Sequence, residues 1–322
     1  VRHDPVMVNE VLEALNPGEG SVVVDGTAGA GGHSLHFAKL IGSTGKLFAL
    51  DRDPAMAAIA RSNLDRAFQS GNGPEIHVAA TSYHQIGDVL SAANCAGADA
   101  ILLDLGINSI QVDDPARGFS FSKEGPLDGR FNPAEPDTRP ISELVNSESA
   151  QQLAAWIREY SDERHANRIA MSIVRTRDQH PFETTTQLAE VVRQAVPAAE
   201  RNARIDPATR TMQALRIVAN RELEILEAGL HACLAALNLG GRLACLSFHS
   251  GEDKLVKRIF DAAGSARPDP GNLYAATTRE GLAYEVRRRG AIKPSAEEVE
   301  RNPRSRSARL RVIERSTEGR SH

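Results

Sequence analysis

The stretch Ser21-Val22-Val23-Val24-Asp25-Gly26-Thr27-Ala28-Gly29-Ala30-Gly31-Gly32-His33-Ser34 decides the reading of the fold. A β-branched apolar run ends on an acid and breaks into a loop with glycines at 26, 29, 31 and 32. It then passes into a helical pattern near His33. This is strand, glycine turn, helix. Glycine admits positive φ and close approach of a ligand, and open N–H groups at a helix start favour an anion.

The spacing narrows the ligand. A dinucleotide fingerprint G-x-G-x-x-G counted from Gly29 and Gly31 needs a third glycine at 34, where Ser34 stands, so a nicotinamide or flavin site is disfavoured. Lys46 to Leu50 reads as a second strand ending in Asp51, about 20 residues beyond the loop, where a carboxylate can accept from both hydroxyls of a ribose. On these residues alone, a nucleoside-containing ligand and a plain glycine turn in an α/β protein both stay open.

The 322 residues have room for one large domain or two moderate ones, and 41% hydrophobic with 25% charged residues is a globular composition. No apolar run is long enough to span a bilayer, and the N-terminus lacks the basic-then-apolar signal-peptide pattern. Cys95, Cys233 and Cys245 are scattered with no C-x-x-C, so no disulfide framework and no metal site is expected. A reducing, cytoplasmic compartment is the natural reading.

The net charge of −4 argues against holding nucleic acid by bulk charge, yet the C-terminal region carries Arg287, Arg288, Arg289, Lys293, Arg301, Arg304, Arg306, Arg309, Arg311, Arg315 and Arg320. Such a run suits a localised phosphate contact. Interspersed with Glu297, Glu298 and Glu300, it equally suits a solvated charged surface.

From the glycine loop the pattern alternates. Strands are expected at 22–25, 46–51, 76–79 and 98–105. Helices are expected at 33–40, at 54–68 with Asp53 as N-cap and Pro54 first, and at 83–92. Alternation predicts a parallel sheet covered by helices. After Gly106 the rhythm is lost in a Pro, Gly, Asp and Arg-rich stretch, 112–140, followed by helical pattern to about Val196. It returns with one long helix, 211–237, a strand, 242–248, a helix, 252–260, and strands at 282–287 and 309–314. A helical insert, 112–208, inside an α/β domain formed by 1–111 and 209–322, is the expectation.

Ligands of open α/β sheets bind beyond the carboxyl ends of strands. Asp25, Asp51, Asp104 and the run Ser247-Phe248-His249-Ser250 all fall there.

A resemblance rests on these and further blocks: Asp25 to Ser34, Leu50-Asp51-Arg52-Asp53-Pro54, Asp104-Leu105-Gly106-Ile107-Asn108-Ser109-Ile110-Gln111, Arg117-Gly118-Phe119-Ser120-Phe121 with Pro126-Leu127-Asp128, Ala208-Thr209-Arg210-Thr211, Ser247 to Ser250, and Asn302-Pro303-Arg304-Ser305-Arg306-Ser307-Ala308. In this order, over nearly the whole chain, they resemble the ribosomal RNA small subunit methyltransferase H family. The resemblance implies a class I methyltransferase (Rossmann-like) sheet with an inserted smaller helical domain. It implies S-adenosylmethionine as cofactor and methylation of the exocyclic N4 of a cytidine in small-subunit ribosomal RNA, the partner being that RNA or the small ribosomal subunit. A homodimer is left open.

Carried over residue by residue, the cofactor contacts fall on Gly31, Gly32, His33, Asp51, Asp104 and Gln111. Tyr83 takes the place of a phenylalanine that would stack on adenine, and Asp25 is read as helping to hold the ammonium. Asp104 and Asn108 would accept from the target amine, with Ser109 and His249 near the base. Arg117, Arg130, Arg210, Arg304 and Arg306 are the expected RNA contacts, although any single arginine fits a structural ion pair as well. The chain departs from the family at Ala28 for an aromatic, Asn108 for serine, Gly129 for methionine, and Gly251 and Lys254 for leucine and arginine. These departures keep a competing reading, an RNA-binding ribosome-assembly factor that retains the cofactor fold without activity.

Overall fold

The computed structural model describes residues 5–69, 71–201, 206–264, 284–288 and 290–316. Residues 282 and 283 of the last-but-one expected strand, and Arg289 and Arg320 of the basic run, lie outside them. The chain divides into two compact units, one formed by Val1–Gly106 with Glu224–His322 and the other by Ile107–Leu223. These bounds are wider for the second unit than the insert read from the sequence, 112–208.

In unit 1, helix α1 (Val8–Leu15) precedes β1 (Val22–Asp25), α2 (Gly32–Ile41), β2 (Lys46–Asp51), α3 (Pro54–Ala67), β3 (Glu75–Ala80), α4 (Ile86–Ala92) and β4 (Ala98–Asp104). As expected, the side chain of Asp53 caps α3, accepting from the Ala55 N–H at 3.0 Å, with Pro54 first in the helix. Unit 2 carries α5 (Ser109–Asp113), α6 (Ile141–Ser147), α7 (Ala150–Ser161), α8 (Ala166–Arg177), α9 (Thr185–Ala195), α10 (Ala198–Arg201) and α11 (Ala208–Ala219). The chain returns to unit 1 within α12 (Glu222–Ala236), followed by β5 (Leu237–Ser247), α13 (Ser250–Ala263), β6 (Tyr284–Val286), α14 (Ala296–Arg301) and β7 (Arg309–Arg315).

The seven strands form one mixed sheet in the order β3-β2-β1-β4-β5-β7-β6. The first five pair in parallel, and β7 runs antiparallel to both β5 and β6. The α/β fold expected from the alternation is therefore present. Strand order reverses at β1, where neighbours β2 and β4 diverge, so the ends of β1, β2 and β4 open on one crevice. The sheet is buried because its strands are apolar along their length: Val23, Val24, Leu47, Phe48, Leu50, Ile101, Leu102 and Leu103 are fully buried. Each such side chain is worth about 1.5–3 kcal/mol of burial.

Unit 2 is held by its own core, in which Leu153, Ile157, Ile169, Ile173, Leu188, Val192 and Leu215 are fully buried. The single helix expected over 211–237 is two helices, and the break has a local cause. Buried Asn220 turns its side chain on the chain near 130: its Nδ2 donates to the Gly129 carbonyl at 2.8 Å, and its Oδ1 accepts from the Phe131 N–H at 2.8 Å. Arg221 then takes a left-handed φ of 51°. No glycine or proline announces this stop. Gly129, where the resemblance leads one to expect methionine, has φ +71°, and Ile141 Cδ1 would lie 2.6 Å from a side-chain Cβ there. The next core residue already occupies the place of a side chain at 129.

Candidate functional site

The glycine loop spends most of its N–H groups on its own unit. Gly26 donates to the Leu102 carbonyl, Ala28 to Leu50, Gly31 to Ala28, Thr27 to Asp25 Oδ1 at 3.3 Å and Gly29 to Asp51 Oδ2 at 2.7 Å. Those of Ala30, Gly32 and His33 find no acceptor among the described residues. The anion-friendly part of the loop is thus narrower than the glycine count suggests, and it sits at the start of α2. Gly26 is required by packing, since a Cβ there would meet Leu103 Cδ2 at 2.6 Å. Ala28 is buried in the core, so the space an aromatic would take is closed by neighbours.

Three carboxyl groups stand at the ends of β1, β2 and β4. Asp25 is buried, accepts from the Ser34 hydroxyl at 2.6 Å, and is pushed by burial up to about 6. Asp51 accepts from the Gly29 and Asp53 N–H groups at 2.7 and 2.8 Å, and burial pushes it up to about 7 against those donors. Asp104, whose own N–H donates to the Thr27 hydroxyl at 2.6 Å, is pushed up to about 8 by burial, with Asp25 and Glu252 adding like charge. Three acids raised together describe a pocket that favours cations and hydroxyl donors.

Two buried polar atoms around these ends, the Ser82 hydroxyl and Asp104 Oδ1, lack a hydrogen-bond partner among the described residues. His33 Nε2 stands 3.7 Å from Asp104 Oδ2, and burial, with His36 adding, holds the imidazole down at about 3 and therefore neutral. Tyr83 opens the turn after β3, and its ring packs against α12, where a Cβ at Gly229 would fall 2.2 Å from Cδ2. Both readings of this tyrosine, core aromatic and pocket wall, are compatible with its half-buried position.

At the end of β5, His249 is the N-cap of α13. Its Nδ1 accepts from the Glu252 N–H at 3.4 Å, and Glu252 Oε2 accepts from the N–H groups of Phe248 and His249 at 2.8 and 3.3 Å. Reciprocal capping at this three-residue spacing is a local signal that was readable in the sequence. Thr27, Ser34 and Asp253 had no such signal, because each acts on a residue brought close only by the fold. Asp253 is buried and paired with Arg311 at 2.7 Å and Arg309 at 2.9 Å. Burial pushes it up, but the two guanidinium groups outweigh that and hold it below the usual carboxylate range.

In unit 2, Asn108 and Gln111 also form a reciprocal cap, at α5: Asn108 Oδ1 accepts from the Gln111 N–H, and Gln111 Oε1 from the Asn108 N–H, both at 3.0 Å. Ser109 is buried at the first position of that helix. The expected RNA-contacting arginines separate into two kinds. Arg117 donates to the Arg130 and Phe131 carbonyls and lies 5.5 Å from the Phe119 ring centroid. Arg130 forks onto both oxygens of Asp128 at 2.9 and 2.7 Å. These two hold the 117–131 loop together. Arg210 is half exposed, 3.4 Å from Glu163. Arg304 and Arg306, on unit 1, are exposed and make no ion pair among the described residues.

Among the described residues no group of histidine, cysteine and acidic side chains has metal-ligating geometry, and no helix is long and apolar enough to cross a membrane.

A model of the MraW methylase family matches residues 1–316. The chain is 42% identical to the protein named ribosomal RNA small subunit methyltransferase H of Nitrosospira multiformis over 317 residues, covering 98% of this chain and 97% of that one. It is also 42% identical to the protein of the same name of Acidothermus cellulolyticus over 318 residues, covering 98% and 94%. Among solved structures, a rRNA methylase from Streptococcus thermophilus aligns with 96% of this chain and 94% of its own at 11% identity and a TM-score of 0.41. With a family model matched along nearly its full length and relatives above two-fifths identity, the chain belongs to the MraW methylase family.

Proposed function

We propose that this protein transfers the methyl group of S-adenosylmethionine to the exocyclic N4 of a cytidine in small-subunit ribosomal RNA. The observation that carries the reading is the pair of buried polar atoms, the Ser82 hydroxyl and Asp104 Oδ1, that have no partner among the described residues at the strand ends of a methylase-family chain. Buried polar atoms are normally satisfied, so these fit a ligand that brings its own donors and acceptors.

The residues suit that cofactor. A carboxylate offers about four lone-pair directions, and Asp51 has two left after Gly29 and Asp53, the number a ribose diol would fill. The N–H groups of Ala30, Gly32 and His33 suit the methionine carboxylate. Asp25, enclosed by Thr27 and Ser34, acts on the ammonium through its charge and not by direct contact. Tyr83 is the proposed wall for adenine, and Gln111 a further contact taken from the resemblance. When bound, S-adenosylmethionine supplies an electrophilic methyl group on a sulfonium centre.

The target amine is a weak nucleophile because its lone pair is delocalised into the pyrimidine ring. Asp104, accepting from one N–H, localises that pair and aims it. As nitrogen gains its bond to carbon it loses a proton, and Asp104 is the proposed acceptor in its ionised form, so transfer should rise with pH as this carboxyl, raised to about 8 by burial, gives up its own proton. Asn108 and Ser109, on unit 2, are proposed for the substrate side, Asn108 as an acceptor. His249 supports the turn at the end of β5. Arg304 and Arg306, with Arg210, are proposed to hold phosphates, and unit 2 to recognise the substrate. The reading places the protein in the cytoplasm, and a single chain supplies every group it names.

The test is incubation with methyl-labelled cofactor and small ribosomal subunits, followed by nucleoside analysis. Label in N4-methylcytidine is the expected result; cofactor binding without transfer would instead favour an assembly factor.

A further inference from the structure

Glu252 is a buried carboxyl at the end of β5 that no part of the mechanism above uses. Its Oε2 accepts from two successive main-chain N–H groups, Phe248 at 2.8 Å and His249 at 3.3 Å. Its Oε1 lies 3.1 Å from His249 Nε2, close but not aligned as a hydrogen bond, and its own N–H donates to His249 Nδ1 at 3.4 Å. A main-chain N–H can only donate, so the Nδ1 it reaches must be the unprotonated nitrogen. The proton of the neutral ring then sits on Nε2, the nitrogen that faces the carboxyl. Both ring nitrogens thus lie against one residue, Nδ1 through a hydrogen bond and Nε2 through proximity to a carboxylate alone.

We propose that Glu252 is a positioning residue for methyl transfer, fixing the Phe248–His249 turn and holding His249 in the tautomer that carries its proton on Nε2. In that state His249 has no open basic nitrogen. It serves as a rigid wall, and the proton of the reaction is left to Asp104. The turn matters because β5 neighbours β4 in the sheet, with Asp104 opposite Leu246, so the segment after Ser247 leaves the sheet beside the one after Asp104. The main chain makes the link direct: the Leu105 N–H, next to Asp104, donates to the Leu246 carbonyl at 3.0 Å, two residues before Phe248. Freeing the turn therefore disturbs the backbone that carries the reacting carboxyl. Glutamine at 252 keeps an oxygen for the main chain, but it can set an NH2 group against the Nε2–H of His249, two donors face to face.

This inference rests on the proposed methyl transfer, and its test has two arms. In the first, nitrogen-15 NMR of the cofactor-free protein reads the His249 tautomer directly. Protonated Nε2 with unprotonated Nδ1 is expected; a proton on Nδ1 overturns the proposal whatever any variant does. In the second, Glu252→Gln is expected to lower kcat by about 10- to 100-fold, the scale of a small misplacement at a reacting centre. KM for S-adenosylmethionine is expected to hold within about twofold, and the His249 signals to shift to the other tautomer or a mixture. Unchanged kcat together with unchanged His249 signals overturns it. Should the parent protein transfer no methyl group at all, the functional reading fails instead, and the NMR arm still decides how Glu252 holds its histidine.

Discussion

Replacing Asp104 with asparagine should stabilise the cofactor-free protein while disabling it. The carboxyl is raised from 3.8 to about 8 by burial and by the neighbouring Asp25 and Glu252. The folded chain therefore keeps this proton to about pH 8, whereas the unfolded chain gives it up near 3.8. Stability from this group is complete below pH 3.8 and drains away as pH rises toward 8. Each pH unit across that window is worth about 1.4 kcal/mol, so by pH 7 the loss is on the order of 4 kcal/mol at full burial. With 23% of the side chain exposed, water relieves part of it and about 2–4 kcal/mol is the working range. Asparagine has the same shape and no proton to lose. The stability gap between Asp104→Asn and the parent should therefore be small at pH 4, widen by up to about 1.4 kcal/mol per pH unit, and level off above pH 8. Urea unfolding followed by circular dichroism measures the gap. Trp156, the sole tryptophan, is partly buried against the core of unit 2, and its fluorescence reports that unit. Methyl transfer should fall by 100-fold or more, the order expected for loss of a proton acceptor. A gap equal at pH 5 and pH 8 would refute the argument.

Two other expectations concern the remaining machinery. Asn220→Ala leaves the buried Gly129 carbonyl and the partly buried Phe131 N–H without this partner and should cost unit 2 about 1–3 kcal/mol, read from the Trp156-detected urea midpoint; a loss below about 0.5 kcal/mol would show that the break after α11 is held by something else. Arg304→Ala combined with Arg306→Ala should reduce the slope of log affinity against log salt for a small-subunit RNA fragment by about 2. Arg117→Ala should leave that slope alone and lower the unit 2 midpoint, and the opposite pattern would reverse the division of the arginines drawn above.

What could be read from the sequence was whatever a residue shares with its near neighbours. Val22 to Asp25 shows a strand and its terminal acid together, and Asp53-Pro54 shows a helix start, because both are local events. Asp104 was placed by the same logic at the end of an apolar run. Its elevated pKa was not legible, since the burial that chiefly causes it comes from the fold, and Asp25 and Glu252, which add like charge, are far away in the chain. The loop N–H groups illustrate the same limit: the glycines suggested an open anion site, yet Leu50, Asp51 and Leu102 take three of them from neighbouring strands. Arg117 and Arg130 read as nucleic-acid contacts by their charge, and only the folded loop reveals that carbonyls and Asp128 already use them. Asn220 ends a helix without a breaker because its partners lie at 129 and 131.

The pairing of β4 with β5 has a consequence for how the chain is made. These strands are neighbours in the sheet, yet all of unit 2 is synthesised between them. At ordinary elongation rates of about 5–20 residues per second, the roughly 130 intervening residues take on the order of ten seconds. Through that interval the apolar run Ile101, Leu102, Leu103 waits on an open sheet edge, the configuration most prone to pairing with a stranger. The nascent protein is therefore most vulnerable midway through translation, and prompt collapse of unit 2, which shortens the loop to be closed, is what ends the exposure.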